Sequence, residues 1–173
     1  MITNGNDPIR VNPDGDKNML TLVVFSGDLD KILASFIIAT GAAASGMKVN
    51  MFFTFWGLKL IHQEGKKVRG VNWMQRVFGW MVKPGPNNRP ISRLNMGGMG
   101  AMMLKAIMKK SRIPGLKEML QTAHSLGIKM TACSTSMGVM GIPKDNLIPE
   151  VTNIAGVASF LADAKDSAVT LFI

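Results

Sequence analysis

Cys133 is the one thiol in a chain of 173 residues, set in the segment IKMTACSTSMGVMGI (128–142) at the end of an apolar run and directly ahead of Ser134, Thr135 and Ser136. A residue at the carboxyl end of a strand occupies the edge where open α/β sheets gather ligands and reacting groups. The three hydroxyl residues behind it suit the start of a helical turn, whose amides stabilise a thiolate and make the sulfur a better nucleophile. Cysteine is also among the most buried residue types and often serves as a small hydrophobe. Position alone leaves both readings standing.

Other chemistries can be weighed by residue type. One thiol forms no intrachain disulfide, and two histidines with one cysteine build no structural zinc site. A thiol peroxidase would carry Thr three residues before the cysteine, where this chain has Met130. A Cys/His hydrolase needs an imidazole near the sulfur. The candidates are His62, read as a surface residue at the start of a basic segment, and His124, read as a solvated or dipole-stabilising residue late in a helix. GAAASG (41–46) has phosphate-loop spacing, but Met47 and Lys48 stand where that loop requires Lys and then Ser or Thr. Gly97, Gly98 and Gly100 follow no strand and are better explained by a turn, and Asp28 and Asp30 suit the first turn of a helix.

These residues need elements to hold them. Met19–Phe25 reads as a strand ending at Ser26-Gly27-Asp28, and Leu29, Ile32, Leu33, Phe36, Ile37 and Thr40 recur at helical spacing as far as Gly46. Lys48–Phe55 is a second strand, closed by Trp56-Gly57. A helix over Lys117–Ser125, a strand over Ile128–Ala132, a short helical segment reaching Gly141, a brief strand at Val151–Ile154, a helix over Gly156–Ala164 and a strand over Ala168–Ile173 complete the series. Alternation of near-continuous apolar strands with helices predicts a flavodoxin-like α/β fold, a parallel sheet with helices on both faces. A polar extension over 1–17 precedes one domain over 18–173.

Charge singles out the middle of that domain. Between Lys59 and Lys117 stand thirteen basic residues and one acid, Glu64, a net +12, whereas the rest of the chain is net −3. This segment, with Pro84, Pro86 and Pro90, is expected to form an inserted basic, Met-rich loop or helical arm. Its helix over Met99–Lys110 is apolar round most of its circumference, with Lys105, Lys109 and Arg112 along one side. It reads equally well as a core helix with a solvated edge and as an adaptable docking surface for an acidic partner or a membrane surface. Trp73, Phe78 and Trp80 accompany the charge without any nucleic-acid-binding motif, so no nucleic acid is expected. The longest uncharged stretch, Ile32–Met47, has 16 residues, short of a membrane span. Met1–Lys17 lacks the basic-then-apolar order of a signal peptide, which points to the cytoplasm.

Four segments together resemble a known family: TLVVFSGDLDKILASFIIATGAAASGMKV (21–49), MFFTFWGL (51–58), the Cys133 segment and VTNIAGVASFLADAKDSAVTLFI (151–173). The chain is similar over about Leu20–Ile173 to the DsrE/DsrF-like sulfur-relay proteins of prokaryotes, in particular the DsrE-type branch often labelled peroxiredoxin family protein. The resemblance implies a flavodoxin-like sheet, homotrimers or hexamers, and a cysteine, here Cys133, that carries sulfane sulfur as a persulfide in a sulfurtransferase or sulfur-carrier role. It implies TusA-type sulfur carriers or rhodanese-like proteins as partners, and no cofactor or metal. Within this reading Ser134, Thr135 and Ser136 stabilise the sulfur anion, Ser26, Gly27, Trp56, Met137 and Met140 line its pocket, and Lys105, Lys109 and Arg112 dock a partner. The chain departs from the family in having Gly141 about where a second cysteine commonly follows, and Gly138 where an acid is expected. Without that second thiol, sulfur must pass to another molecule.

Overall fold

The computed structural model describes residues 9–11, 16–66, 90–93 and 96–173. Six strands, β1 (Ile9–Val11), β2 (Asp16–Val24), β3 (Lys48–Phe53), β4 (Lys129–Cys133), β5 (Asn153–Ala155) and β6 (Ser167–Phe172), form one sheet in the order β1-β6-β2-β3-β4-β5. The five strands from β6 to β5 run parallel, and β1 is antiparallel to β6 at one edge. The flavodoxin-like architecture expected from the sequence is therefore present. The edge strand β1 is an addition, since Ile9–Val11 falls within the stretch read as a polar extension.

Helices cover both faces. α1 (Leu29–Ala44) buries Leu29, Ile32, Leu33 and Phe36, the i, i+3, i+4, i+7 stripe legible in the sequence, and Ala39 one turn on, whereas Ile37, read with that stripe, faces out. It packs beside α3 (Leu116–Ser125), whose Leu116, Met119, Leu120 and Ala123 are buried. Alternation along the strands sends Leu22, Val24, Met51, Phe53, Met130 and Ala132 into this core. Burying a side chain the size of Phe36 or Phe53 contributes about 1.5–3 kcal/mol. The strand neighbours Val23, Phe52 and Thr131 have the opposite parity. On their side lies α5 (Val157–Asp166), where Phe160 meets Phe52 with ring centroids 5.4 Å apart. α5 must change face because the chain returns from β5 at one side of the sheet to β6 near the other, and right-handed crossovers in opposite directions lie on opposite faces.

Two stretches read as candidate phosphate motifs are structural. GAAASG forms the last turn of α1 and its stop, with Gly46 at φ 86°. Gly97 and Gly98, at φ 69° and 102°, form the turn that starts α2 (Met99–Lys110). The expectations for Trp73, Phe78, Trp80, Pro84 and Pro86 lie outside the described residues.

Candidate functional site

β4 delivers Cys133 to the carboxyl edge of the sheet, paired with Ala155 of β5, and the chain turns at once into α4 (Ser134–Met140). The thiol is 6% exposed. Burial alone would push its pKa up, but hydrogen bonds from the Ser136 hydroxyl and amide, the Thr54 hydroxyl and the Thr135 amide outweigh that and hold it below the ordinary thiol value. The neighbouring donors thus offset the burial that would otherwise disfavour the charged form of the thiol.

Thr54 is the residue that reading along the chain missed. β3 stops at Phe53, two residues earlier than its apolar run suggested, because Thr54 leaves the ladder and Phe55 adopts a left-handed φ of 44°. β3 lies parallel to and beside β4, so both strands end at the same edge. This brings the Thr54 Oγ1 within 2.6 Å of Ser136 Oγ. A signal existed in the threonine closing FFTF, but it became informative only once β3 was placed next to β4.

The loop after β3 is built against the end of β2. The Thr54 amide donates to Val24 O at 3.1 Å, and the Gly57 amide donates to Phe25 O at 2.9 Å. A Cβ on Gly57 would stand 2.1 Å from Val24 O, so no other residue fits without moving the backbone. A Cβ on Gly27 would meet Trp56 O at 3.1 Å, which places Gly27 and Trp56 in contact. Ser26 serves the turn: its Oγ accepts the Asp28 amide and donates to Asp28 Oδ2, both at 3.1 Å. Trp56 carries Lys59 Nζ 4.4 Å from its ring centroid.

The remaining expected residues separate into groups. The Thr135 and Ser136 amides face the sulfur, whereas Ser134 Oγ lies 3.8 Å from where a Gly156 Cβ would stand, toward the loop before α5. Met137 and Met140 are buried in the main core, so they close off the underside of α4. His62 is a correction: only 2% exposed, it sits with Nδ1 3.0 Å from Gln63 O and Nε2 3.3 Å from Asn146 Nδ2. It lies between the chain after β3 and the Asn146 turn because an isolated bridge joins it to Leu147, a pairing across 85 positions that no local pattern signals. His124 is exposed in the last turn of α3, as read. Asp30 accepts the Ser92 amide at 2.9 Å and the Ser92 hydroxyl, and Leu29 N donates to Pro90 O at 2.7 Å, so residues 90–92 are strapped across the start of α1. Lys105, Lys109 and Arg112 are exposed on and just beyond α2. Among the described residues no cluster of three His, Cys, Asp or Glu side chains is placed to hold a metal ion.

A family model described as DsrE/DsrF/DrsH-like matches residues 16–172. The chain belongs to the DsrE/DsrF/DrsH-like family. The uncharacterized protein YrkE of Bacillus subtilis is 38% identical over 153 residues, covering 88% of this chain and 95% of that one. The protein named sulfur carrier protein DsrE2 in Allochromatium vinosum is 30% identical over 165 residues, covering 91% and 99%. The ychN protein of E. coli has the same fold at a TM-score of 0.52 and 10% identity, covering 90% of this chain and 99% of that structure. No helix among the described residues is long and apolar enough to cross a membrane.

Proposed function

We propose that this DsrE-like protein is a sulfur carrier that holds sulfane sulfur as a persulfide on Cys133, acting as a sulfurtransferase between two thiols. The observation that carries this reading is a buried thiol at the carboxyl end of β4, directly before α4 and beside the strand end that brings Thr54 onto Ser136. The relative named as a sulfur carrier supports it. The Cys133 thiolate attacks the outer sulfur of a donor R–S–SH. The donor's S–S bond breaks, its electron pair leaves with R–S⁻, and Cys133–S–SH forms. An acceptor thiolate then attacks that outer sulfur, the new S–S bond breaks, and the Cys133 thiolate returns. No net oxidation occurs, and burial of the thiol, 6% exposed, limits contact with bulk water.

Because the 173 residues contain one cysteine, donor and acceptor are other molecules. Proteins of the TusA or rhodanese type suit those roles, and a reducing cytoplasm suits a thiol that must stay free. Self-association belongs to the same reading. α5 has no buried residue, and Val157 and Leu161 on its outer side are each 58% exposed, so this face of the sheet is thinly insulated in a single copy. Incubation with polysulfide followed by intact-mass measurement tests the chemistry. The expected result is a one-sulfur increase on the wild type that thiols remove and that Cys133→Ser lacks. An adduct that persists in Cys133→Ser, or none on the wild type, overturns the proposal.

A docking role without chemistry at Cys133 is the second reading, favoured by the exposed apolar surface of α2. A thiol that stays unreactive across a pH titration, together with salt-sensitive partner binding, would support it instead.

A further inference from the structure

α2 carries two apolar stripes, and the core uses one of them. Gly100, Ala101, Leu104 and Met108 face inward. Met99, Met102, Met103, Ala106 and Ile107, at i, i+3, i+4, i+7 and i+8, form a second stripe that faces out. Met102 is 72% exposed and Met103 64%. A helix apolar all round is ordinarily buried, so the outward stripe calls for a covering. Met96 and Ile113 extend the exposed apolar surface at the two ends.

The charge round this stripe identifies the covering. From Arg89 to Lys117 the sequence has no acid, and Lys105 and Lys109 border the outward stripe one turn apart. Both also line a cavity of about 410 Å³, whose other walls include Lys117, Leu29, Met108 and Leu116. The one acid on that wall, Glu118, is already engaged with the Gly115 amide at 3.0 Å. Flexible thioethers facing out, lysines at their border and an apolar-floored basic recess beside them match a surface whose headgroups are anionic and whose interior is hydrocarbon.

We propose that α2 lies in the interface of an anionic lipid bilayer, with the Met99/Met102/Met103/Ile107 stripe among the acyl chains and Lys105, Lys109 and Lys117 at the headgroups. This attachment is peripheral and is independent of the sulfur chemistry at Cys133.

Co-sedimentation of the full chain with vesicles tests it. Binding is expected to vesicles of phosphatidylglycerol and phosphatidylcholine, and to be at least about tenfold weaker to phosphatidylcholine alone, since each lysine near an anionic surface contributes roughly fivefold in affinity. Met102→Ser with Met103→Ser removes apolar contact without changing charge and is expected to release the protein from anionic vesicles. Lys105→Glu with Lys109→Glu is expected to do the same, and raised salt to weaken the wild type. All four positions are exposed, so circular dichroism and the rate of Cys133 labelling should match the wild type. Absence of vesicle binding, equal binding to neutral vesicles, or undiminished binding by either double variant overturns the proposal. So does loss of self-association, instead of vesicle binding, in the Met102/Met103 variant, because a second copy would then be the occupant.

Discussion

Around Cys133 the hydroxyl protons can be counted. Thr54 and Ser136 have one hydroxyl hydrogen each, and their oxygens are 2.6 Å apart, so one hydrogen is spent between them. One hydroxyl hydrogen is then left for the sulfur. Either oxygen can be the donor of that shared bond, and the Ser136 hydroxyl lowers the thiol pKa more than the Thr54 hydroxyl does. Labelling of the thiol should therefore rise with pH through a midpoint below the ordinary 9.0. Ser136→Ala should move that midpoint up further than Thr54→Val, and equal shifts would place both hydroxyls on the sulfur. A lowered folded-state thiol pKa also means that this group stabilises the fold above its ordinary value and loses that contribution as pH falls through the folded one. Cys133 was legible in the sequence because a strand end and a helix start are local patterns. Thr54 was not, since its partner Ser136 lies 82 residues away.

Elements make that meeting possible, and the loop after β3 is the critical one. Gly57→Ala would drive a methyl into the Val24 carbonyl, and forcing the loop outward should cost about 3 kcal/mol. A denaturant midpoint reads that loss, and slower Cys133 labelling should accompany it because Thr54 moves with the loop. The strap over α1 gives a second expectation. Burial opposes the charge on Asp30, but the Ser92 hydroxyl and amide hold its pKa below the ordinary 3.8. Its contribution is thus complete above that value and is lost as pH falls through the folded-state pKa. Asp30→Asn should cost about 1 kcal/mol at neutral pH and flatten the acid limb of a stability profile. The near-continuous apolar strands and period-3.6 helices were readable because their burial shows in local runs and repeats. β1 was not, having three residues and a single neighbour in β6. His62 was misread because its burial depends on the distant Asn146 turn.

At the scale of the molecule, the sheet has one well-insulated face and one thin one. The outer side of α5 should therefore mediate self-association, and Val157→Glu with Leu161→Glu should reduce the sedimenting mass to that of one copy while leaving Cys133 reactive. A wild type that sediments as a single copy would remove this part of the reading. Strand order has a further consequence, for how the molecule is made. β6 pairs with both β1 and β2, and it brings Ser167 onto Thr21, 146 residues away. During synthesis β1 has no neighbour and β2, though paired with β3, shows a bare edge until residues 167–172 emerge, so the nascent chain carries an apolar strand open on one side while the residues between are made. Closure by so distant a pairing is slow. The interval before it is when the chain is most exposed to edge-to-edge aggregation and most dependent on a chaperone.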